Sequence, residues 1–301
     1  MKFPSDIYKA REFYRRVKAN PQTARFLNVD KERMSLVQKL FAHGRVTKHS
    51  QYYLVSFHNH SDGNDESLEE IALVAAQRGY KIFGVSDHNR DDKFEGKRVV
   101  YFPFYGGVYL VRNMEIRCHK DGHSEGDILV VGHKEHIHPF RPLEDTVEQA
   151  LEQDAIVIAT TPFNTFMGGM GEQQLHKIRD RIHAIEVFNA TSNMWPFTYA
   201  DAEAKAFAQK YGITGIYDED AHCLSEIGLA GFSVNKNLLR SLDQKPEEIV
   251  NLPQTLIGEL RRVLTEDGKV INHGYYMPLF STLFPTKFRT LGHKKAVLKP
   301  K

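Results

Sequence analysis

The chain has 301 residues, of which 41% are hydrophobic and 26% are charged, a composition typical of a globular protein with one large core or two modest ones. Lysine and arginine number 40 against 38 aspartates and glutamates, so the net charge excludes a strong overall field that would require nucleic acid or a membrane as partner. The sequence has only two cysteines, no apolar stretch long enough to span a membrane, and no signal-peptide core near residue 1. These features predict a cytoplasmic protein with no membrane partner.

The first 50 residues have a helix-like pattern in which basic and apolar residues alternate. The pattern runs through residues 8–16 and again through residues 31–41. Because it differs from everything that follows, we predict a separate N-terminal helical extension over residues 1–50.

From residue 52 the pattern changes to short apolar runs, each followed by a helical stretch. One helix is predicted from a capping box at Ser67 to a stop at Gly79, and another over residues 200–211, before Gly212. Strands that alternate with helices predict a parallel sheet, although periodicity alone does not separate a closed barrel from an open sheet. The predicted strands cover residues 52–57, 81–86, 108–112, 128–132, 155–160, 184–188 and 213–218.

The chain after residue 234 contains a predicted helix over residues 246–267 and then an aromatic and basic tail. We therefore assign residues 51–240 to the α/β domain and residues 241–301 to a C-terminal helix and tail that packs on it. Basic residues near both chain ends could follow a nucleic-acid backbone, but such charge runs are also typical of solvated ends. They are Arg15, Arg16, Lys18, Lys287, Arg289, His293, Lys294, Lys295, Lys299 and Lys301.

Imidazoles and carboxylates follow several predicted strands at their carboxyl ends. In a parallel barrel these ends lie on one face, so groups that are distant in sequence converge there. A mixture of histidine and carboxylate ligands suits zinc, manganese or iron, whereas magnesium alone would need fewer histidines. A single His-x-His pair is more often a solvated pair than a metal site, and the joint occurrence of the motifs carries the prediction. The residues are His58, His60, Asp87, His88, Glu115, Asp220 and His222.

Four motifs resemble those of the PHP (polymerase and histidinol phosphatase) superfamily: His58-Asn59-His60-Ser61-Asp62-Gly63, Val85-Ser86-Asp87-His88-Asn89, Met114-Glu115-Ile116 and Asp220-Ala221-His222. The resemblance covers roughly residues 54–234 and implies a distorted (β/α)7 barrel. It also implies a metal-dependent phosphoesterase in which metal-activated water hydrolyses a phosphomonoester, a nucleotide or an oligonucleotide. By the same resemblance, one ion would be held by His58, His60, Glu115 and Asp220, and a second by Asp62, His88 and His222.

Two positions depart from the pattern of PHP members that bind three metals. Those members have histidines where this chain has Asp127, in Gly126-Asp127-Ile128, and Thr161, in Thr160-Thr161-Pro162. Threonine is a poor ligand here and Asp127 can ligate only in part, so we expect one or two divalent transition metals, Mn, Zn or Fe. The residues that could instead complete a third site are His123, His133, His136 and His138.

Four further residues are predicted to serve the reaction. Arg117 and Arg90 would bind the phosphate, because a guanidinium offers two parallel donors, although either could equally be a surface arginine. Asp87 would orient a histidine ligand such as His88. Asn189 would bind substrate or water, or would cap the end of its strand.

Two other functions stay open from the sequence. A non-catalytic PHP domain, kept as a structural or interaction module, is favoured by the missing histidine at Thr161 but not by the filled ligand positions. An amidohydrolase barrel also begins with His-x-His, but its metal-bridging lysine is absent at the matching strand end. Cys118 and Cys223 lack a patterned base, and the run Gly168-Gly169-Met170-Gly171 lacks the lysine of a phosphate loop.

Overall fold

The computed structural model describes residues 51–61, 66–164, 168–190, 199–224, 226–244, 246, 251–267 and 270–274. The predicted N-terminal extension, the basic tail and the proposed ligand Asp62 lie outside the described residues. Within these ranges, no helix combines the length and the apolar character that a membrane span requires.

The described residues contain all seven predicted strands and three more. The strands are β1 (Tyr52–Ser56), β2 (Tyr80–Val85), β3 (Val99–Phe102), β4 (Val108–Lys120), β5 (His123–Val131), β6 (Ile156–Ala159), β7 (Ala184–Asn189), β8 (Gly215–Asp218), β9 (Ala230–Asn235) and β10 (Ile271–Gly274). The α-helices are α1 (Leu68–Gln77), α2 (Leu143–Glu152), α3 (Gly171–Ile178), α4 (Tyr199–Tyr211) and α5 (Leu252–Arg262).

Nine strands form a nearly closed barrel in the order β10-β9-β1-β2-β4-β5-β6-β7-β8, and β3 pairs with β4 outside this path. The two ends of the sheet meet through Asn272 of β10. Its side chain accepts a hydrogen bond from the backbone of Tyr217 and donates one to the carbonyl of Gly215, both in β8. The predicted distorted barrel is therefore confirmed, as a distorted TIM-like barrel with helices around it.

The sheet is mixed, so the prediction of a parallel sheet is wrong for part of the barrel. β5 runs antiparallel to both β4 and β6, and β9 runs antiparallel to β1. The cause is local: Asp121 and Gly122 adopt φ angles of 51° and 79°, a tight turn that joins β4 directly to β5 without a crossover helix. The reversal brings Asp127, which precedes the predicted fourth strand, to the same end of the barrel as the carboxyl ends of the parallel strands.

The third predicted strand was also too short. It was expected to end at about residue 112 and to leave Glu115 beyond it, whereas β4 continues to Lys120. Glu115 therefore lies inside a strand and is paired with β5 opposite Leu129.

Apolar side chains from every part of the barrel fill its interior. Among them are Val55, Ile82 and Leu129, and the same cluster continues into Leu256 and Ile257 of α5. At the junction, a β-carbon on Gly132 would lie 2.4 Å from the Ile257 side chain, so only glycine lets the helix pack this closely. α5 thus closes the end of the barrel opposite to Glu115.

Two of the three predicted helices are confirmed closely. α1 begins with the predicted capping box, in which Ser67 and Glu70 each bond the other's backbone N–H. α4 ends at Tyr211, before Gly212. The predicted C-terminal helix is shorter than expected, because α5 gives way to a π-helical turn at Val263–Asp267.

Candidate metal centre

Backbone hydrogen bonds between loops bring the four motifs together at one end of the barrel. His60 N–H donates to the carbonyl of Ala221, and Asp220 N–H donates to the carbonyl of His58. His88 and Glu115 form a parallel bridge beyond the ends of the main pairing. Backbone pairing therefore positions His58, His60, His88, Glu115 and Asp220, whereas the backbone of His222 donates to the side chain of Glu226.

The side chains of these motifs form one cluster. His58 Nε2 lies 3.4 Å from Glu115 Oε1 and 3.5 Å from Asp220 Oδ1. His60 Nε2 lies 3.0 Å from Asp220 Oδ1, and His88 Nδ1 lies 2.6 Å from Glu115 Oε2. The two carboxylates thus lie between the three imidazoles.

His222 adds a further imidazole on the other side of His60. The ring centroid of His60 is 4.3 Å from that of His222 and 4.2 Å from that of His88. Nδ1 of His222 is 2.8 Å from the carbonyl oxygen of Asp220, which fixes the ring against its own loop. Six of the seven predicted metal ligands are therefore brought together, and the seventh, Asp62, is outside the described residues.

The donor atoms of this cluster fit a divalent metal. Among the described residues, His58 Nε2, both ring nitrogens of His60 and His88 Nε2 are buried without a hydrogen-bond partner. His58 Nε2 and His60 Nε2 lie within 3.5 Å of carboxylate oxygens of Glu115 or Asp220, so nitrogen and oxygen donors face one another as in a site for a divalent cation. Two sets of ligand atoms lie within 4.8 Å of one another, His58 with His60 and Glu115, and His60 with His88 and His222.

The electrostatics of the cluster are those of anionic carboxylates surrounded by imidazoles. Burial alone would raise the pKa of Glu115 and of Asp220, but the neighbouring histidines outweigh it and hold both pKa values well below their ordinary range. For His58, burial would lower the pKa, whereas Asp220, Glu186 and Glu115 together raise it well above its ordinary value. The negative charge is thus already in place for a cation.

Glu186 is a buried residue of the site that the sequence analysis missed. Its Oε1 is 3.2 Å from Nδ1 of His58 and accepts a hydrogen bond from Asn189, and its Oε2 accepts one from the backbone of Thr161. A carboxylate at Nδ1 fixes the imidazole so that Nε2 points toward Glu115 and Asp220. The available signal was a single acidic residue in the otherwise apolar run of β7.

Replacing Glu186 by leucine is expected to weaken metal binding by about 10–100-fold, because His58 loses the partner that orients its ring. Glu186→Gln keeps an acceptor of the same shape and should retain most of the affinity. Titration of the metal-free protein with Zn²⁺ or Mn²⁺ measures both, and ¹⁵N NMR of the imidazoles reports the tautomer of His58. This role would be contradicted if Glu186→Leu bound the metal as tightly as the wild type, or if both variants lost metal affinity to the same extent.

The predicted catalytic residues have different surroundings. Asp87 accepts hydrogen bonds from the backbone and hydroxyl of Ser61, at 2.5 and 2.6 Å, so it holds the turn that follows His60. The side chain of Arg90 is 46% exposed and pairs with Asp92 at 2.9 Å. Asn189 donates to Glu186, as described above. The proposed roles of these residues in the reaction stay predictions.

Arg117 lies directly opposite Asp127 in the β4–β5 pairing. Its Nε and Nη2 donate to the two oxygens of Asp127 at 2.8 and 2.7 Å, a bidentate ion pair that is largely buried. Asp127 raises the pKa of the guanidinium, so Arg117 is always charged. Asp127 is therefore engaged by an arginine at the place where a metal ligand would be needed.

Histidines 133 and 136 lie away from this centre. Both contact the carboxylate of Asp91, at 2.6 and 3.0 Å, and Asp91 also accepts hydrogen bonds from Arg112. Arg112 and Glu115 are three residues apart on β4, so their side chains lie on opposite faces of the strand. We therefore do not assign these two histidines to the metal.

Comparisons with known proteins give a likeness of fold. No protein-family model and no curated protein matches the sequence. PsfC from Pseudomonas syringae is 14% identical with a TM-score of 0.50, over 81% of this chain and 99% of that protein. A two-domain protein of Bacteroides vulgatus, containing a predicted PHP-like metal-dependent phosphoesterase, is 11% identical with a TM-score of 0.49, over 74% of this chain and 65% of that one.

A third solved structure is the lesion-specific endonuclease PfuEndoQ from Pyrococcus furiosus. It is 15% identical with a TM-score of 0.46, and the match covers 74% of this chain and 59% of that protein. This chain therefore spans less than two thirds of the Bacteroides and Pyrococcus proteins. At identities of 11–15% these matches are likenesses of fold, and one of the matched structures contains a predicted PHP-like phosphoesterase.

Proposed function

We propose that this protein is a metal-dependent phosphoesterase that hydrolyses a phosphomonoester or a phosphate ester of a nucleotide or oligonucleotide. One observation carries the proposal: imidazoles and carboxylates from four separate motifs meet at one end of the barrel, with their nitrogen and oxygen donor atoms close together. The mixture of nitrogen and oxygen donors suits Zn²⁺, Mn²⁺ or Fe²⁺.

We assign the ligands in two sets. His58, His60, Glu115 and Asp220 would hold one ion, and His88 and His222, together with Asp62, would hold a second. A bound divalent ion of this kind polarises a phosphoryl oxygen and lowers the pKa of water toward neutrality. Glu186 keeps Nε2 of His58 directed to the first set, and Asp87 keeps the turn after His60 in place.

The phosphate itself is assigned to Arg117. Asp127 contacts Nε and Nη2 and so fixes the plane of the guanidinium, and we assign Nη1 to a phosphate oxygen. Arg90, at the exposed rim that follows His88, is proposed as a second contact for larger substrates. Asn189, which donates a hydrogen bond to Glu186 at the end of β7, is proposed to bind substrate or water.

The purified chain is expected to bind one to two equivalents of transition metal, because the sequence offers ligands for two sets while Asp127 is paired with Arg117 and Thr161 has no strong donor. Elemental analysis after gel filtration measures the stoichiometry. Three tightly bound equivalents would contradict it. A chelator should remove both the metal and the activity, and Mn²⁺ or Zn²⁺ should restore them.

The activity is tested with a panel of phosphomonoesters, cyclic nucleotides and single-stranded oligonucleotides in the presence of Mn²⁺ and of Zn²⁺. Chelator-sensitive release of phosphate or of nucleotide supports the proposal. If the metal-loaded protein hydrolyses none of these esters, the non-catalytic module is the better interpretation. The Arg117–Asp127 ion pair supports that alternative, because it uses Asp127 at a position where PHP members with three metals have a metal ligand.

A further inference from the structure

One face of β4 leads outward from the metal centre. Glu115 and Arg117 alternate along the strand and so share a face, at a spacing of about 7 Å for every two residues. His119 is the next residue of this series, just beyond a shift in the β4–β5 register between Cys118 and His119. Ile116 and Cys118, which alternate with them, are fully buried against the outer helices, and this confirms the alternation. A ligand bound at Glu115 and Arg117 would therefore meet His119 next.

A second segment lies beside this part of β4. The backbone N–H of Phe140 donates to the carbonyl of Arg117 at 2.8 Å, and that of His119 donates to the carbonyl of Arg141 at 2.9 Å. Residues 140 and 141 thus run along the edge of β4 that β5 does not use. Backbone pairing fixes their position relative to Arg117.

The side chain of Phe140 is unusual in two respects. It is 43% exposed, and its ring meets the ring of His119 edge-to-face at a centroid distance of 5.2 Å. Its φ angle of 63° lies in the left-handed region, which is unfavourable for a bulky residue. Strain of this kind persists where surrounding contacts fix it, and it is enriched at binding sites.

We propose that the exposed ring of Phe140, held by its edge-to-face contact with His119, is an aromatic platform that stacks a nucleobase, so that the ester cleaved at the metal centre belongs to a nucleotide unit. The inference rests on the proposed function and names its substrate class. Along β4, the metal ligand and the phosphate-binding arginine would together hold the phosphate, and the aromatic platform lies about 7 Å further on. In a nucleotide the sugar spans the interval between the phosphate and the base.

Other ligands fit this surface less well. A sugar without a base would be held mainly by hydrogen bonds, and the neighbouring Arg141 is paired with Gln149, at 2.8 Å. An aromatic face is selective for planar rings and tolerant of their sequence, because every base offers a π surface. The platform therefore predicts preference for nucleotides over sugar phosphates, with little discrimination between bases.

The test compares Phe140→Ala, Phe140→Trp and the wild type in the full 301-residue chain loaded with Mn²⁺. Because Phe140→Ala removes the stacking surface, it should lower kcat/KM for deoxyadenosine 5′-monophosphate by about tenfold, mainly through KM. Hydrolysis of glycerol 2-phosphate, which has no ring, should be unchanged. Phe140→Trp should retain the preference for the nucleotide.

Tyr105 provides a matched control. It is also exposed, at 60%, and has a φ angle of 48°, but it precedes the first residue of β4 and so lies at the other end of the strand. Tyr105→Ala should leave both substrates unaffected. Loss of both activities to the same degree in Phe140→Ala, or no loss of either, would overturn the platform.

A tetranucleotide with a terminal phosphate tests whether the base belongs to a free nucleotide or to the end of a nucleic acid. Its hydrolysis should depend on Phe140 as that of the mononucleotide does, and the higher kcat/KM identifies the free nucleotide or the nucleic-acid end as the better substrate. If no ester is hydrolysed, the proposed function fails. Calorimetric binding of deoxyadenosine 5′-monophosphate to the same variants then tests separately whether Phe140 stacks a base. Weaker binding in Phe140→Ala but not in Tyr105→Ala then supports it, and equal binding overturns it.

Discussion

Replacing His58 by alanine or Asp220 by asparagine should abolish phosphoesterase activity. The two side chains lie 3.5 Å apart, and each also contacts a further member of the cluster, Glu115 or His60. Loss of an outer partner of a metal ligand typically costs about 10–100-fold, and loss of a direct ligand should cost more. Phosphate release and metal content, measured on the same folded preparation, check the result.

The cysteines provide the control for this experiment. Burial raises the pKa of the Cys118 thiol to about 12, so it has no thiolate to offer near neutral pH. Cys118→Ser and Cys223→Ser should therefore leave turnover largely intact. His176→Ala, on α3 outside the centre, controls for removal of an imidazole. Inactive but folded cysteine variants would instead point to nucleophilic catalysis.

Removing the carboxylate of Asp91 should lower the free energy of unfolding by about 3–5 kcal/mol, the usual cost of breaking a buried ion pair from one side. Asp91 and Arg112 are only 8% and 6% exposed, and their oxygen and nitrogen atoms are 2.5 Å apart. His133 is fully buried against the same carboxylate. Asp91→Ala leaves a guanidinium and an imidazole without their partner, and urea unfolding monitored by circular dichroism measures the loss.

The pH dependence of this difference follows from the pKa of Asp91. Burial would raise that pKa, but hydrogen bonds from His133, His136 and Arg112 outweigh it and lower it below the ordinary value. A depressed carboxyl pKa stabilises the fold above the unfolded pKa of about 4, and the stabilisation is lost as the pH falls through the folded value. The difference between wild type and Asp91→Asn should thus persist from pH 7 to about 5 and shrink below about 4.

Asp154 is the exposed counterpart. It pairs with Lys134 at 2.8 Å, but the two side chains are 42% and 43% exposed. A surface pair of this kind contributes about 0–1 kcal/mol, so Asp154→Ala should have a small effect. Equal destabilisation by Asp91→Ala and Asp154→Ala would show that burial of the Asp91 cluster does not matter.

Most ligands of the candidate centre were predictable because they follow recognisable apolar strands. His58, His60 and His88 come directly after β1 and β2, so their position needed only the rule that strand ends share a face. Asp220 and His222 follow β8 in the same way. The structure brings all of them together with Glu115, as the strand pattern predicted.

The β4–β5 hairpin was not predictable in the same way. The segment from His119 to His123 is polar and turn-like, so the local pattern favoured a loop. The strand persists because Ile116 and Cys118 bury one of its faces and β5 pairs along its edge. Such pairing overrides local preference, and it decides where Arg117 and Asp127 meet.

Glu186 was missed for a different reason. In the sequence, Glu186 is a single acidic residue within an apolar strand. Its role is to contact His58, which is 128 residues away in the chain. A single sequence contains no signal for a hydrogen bond of this range. The same is true of the Asp91 cluster, whose members come from three separate segments.

Closure of the barrel by Asn272 has a consequence for shortened versions of the chain. β8 pairs with β7 on one side, and on the other it meets the side chain of Asn272 from β10. A chain cut before Ile271 would lose that cover and present the backbone of Gly215–Asp218 as an open strand edge. Open edges recruit strands from other molecules, so such a fragment would be prone to aggregate even with its metal ligands intact.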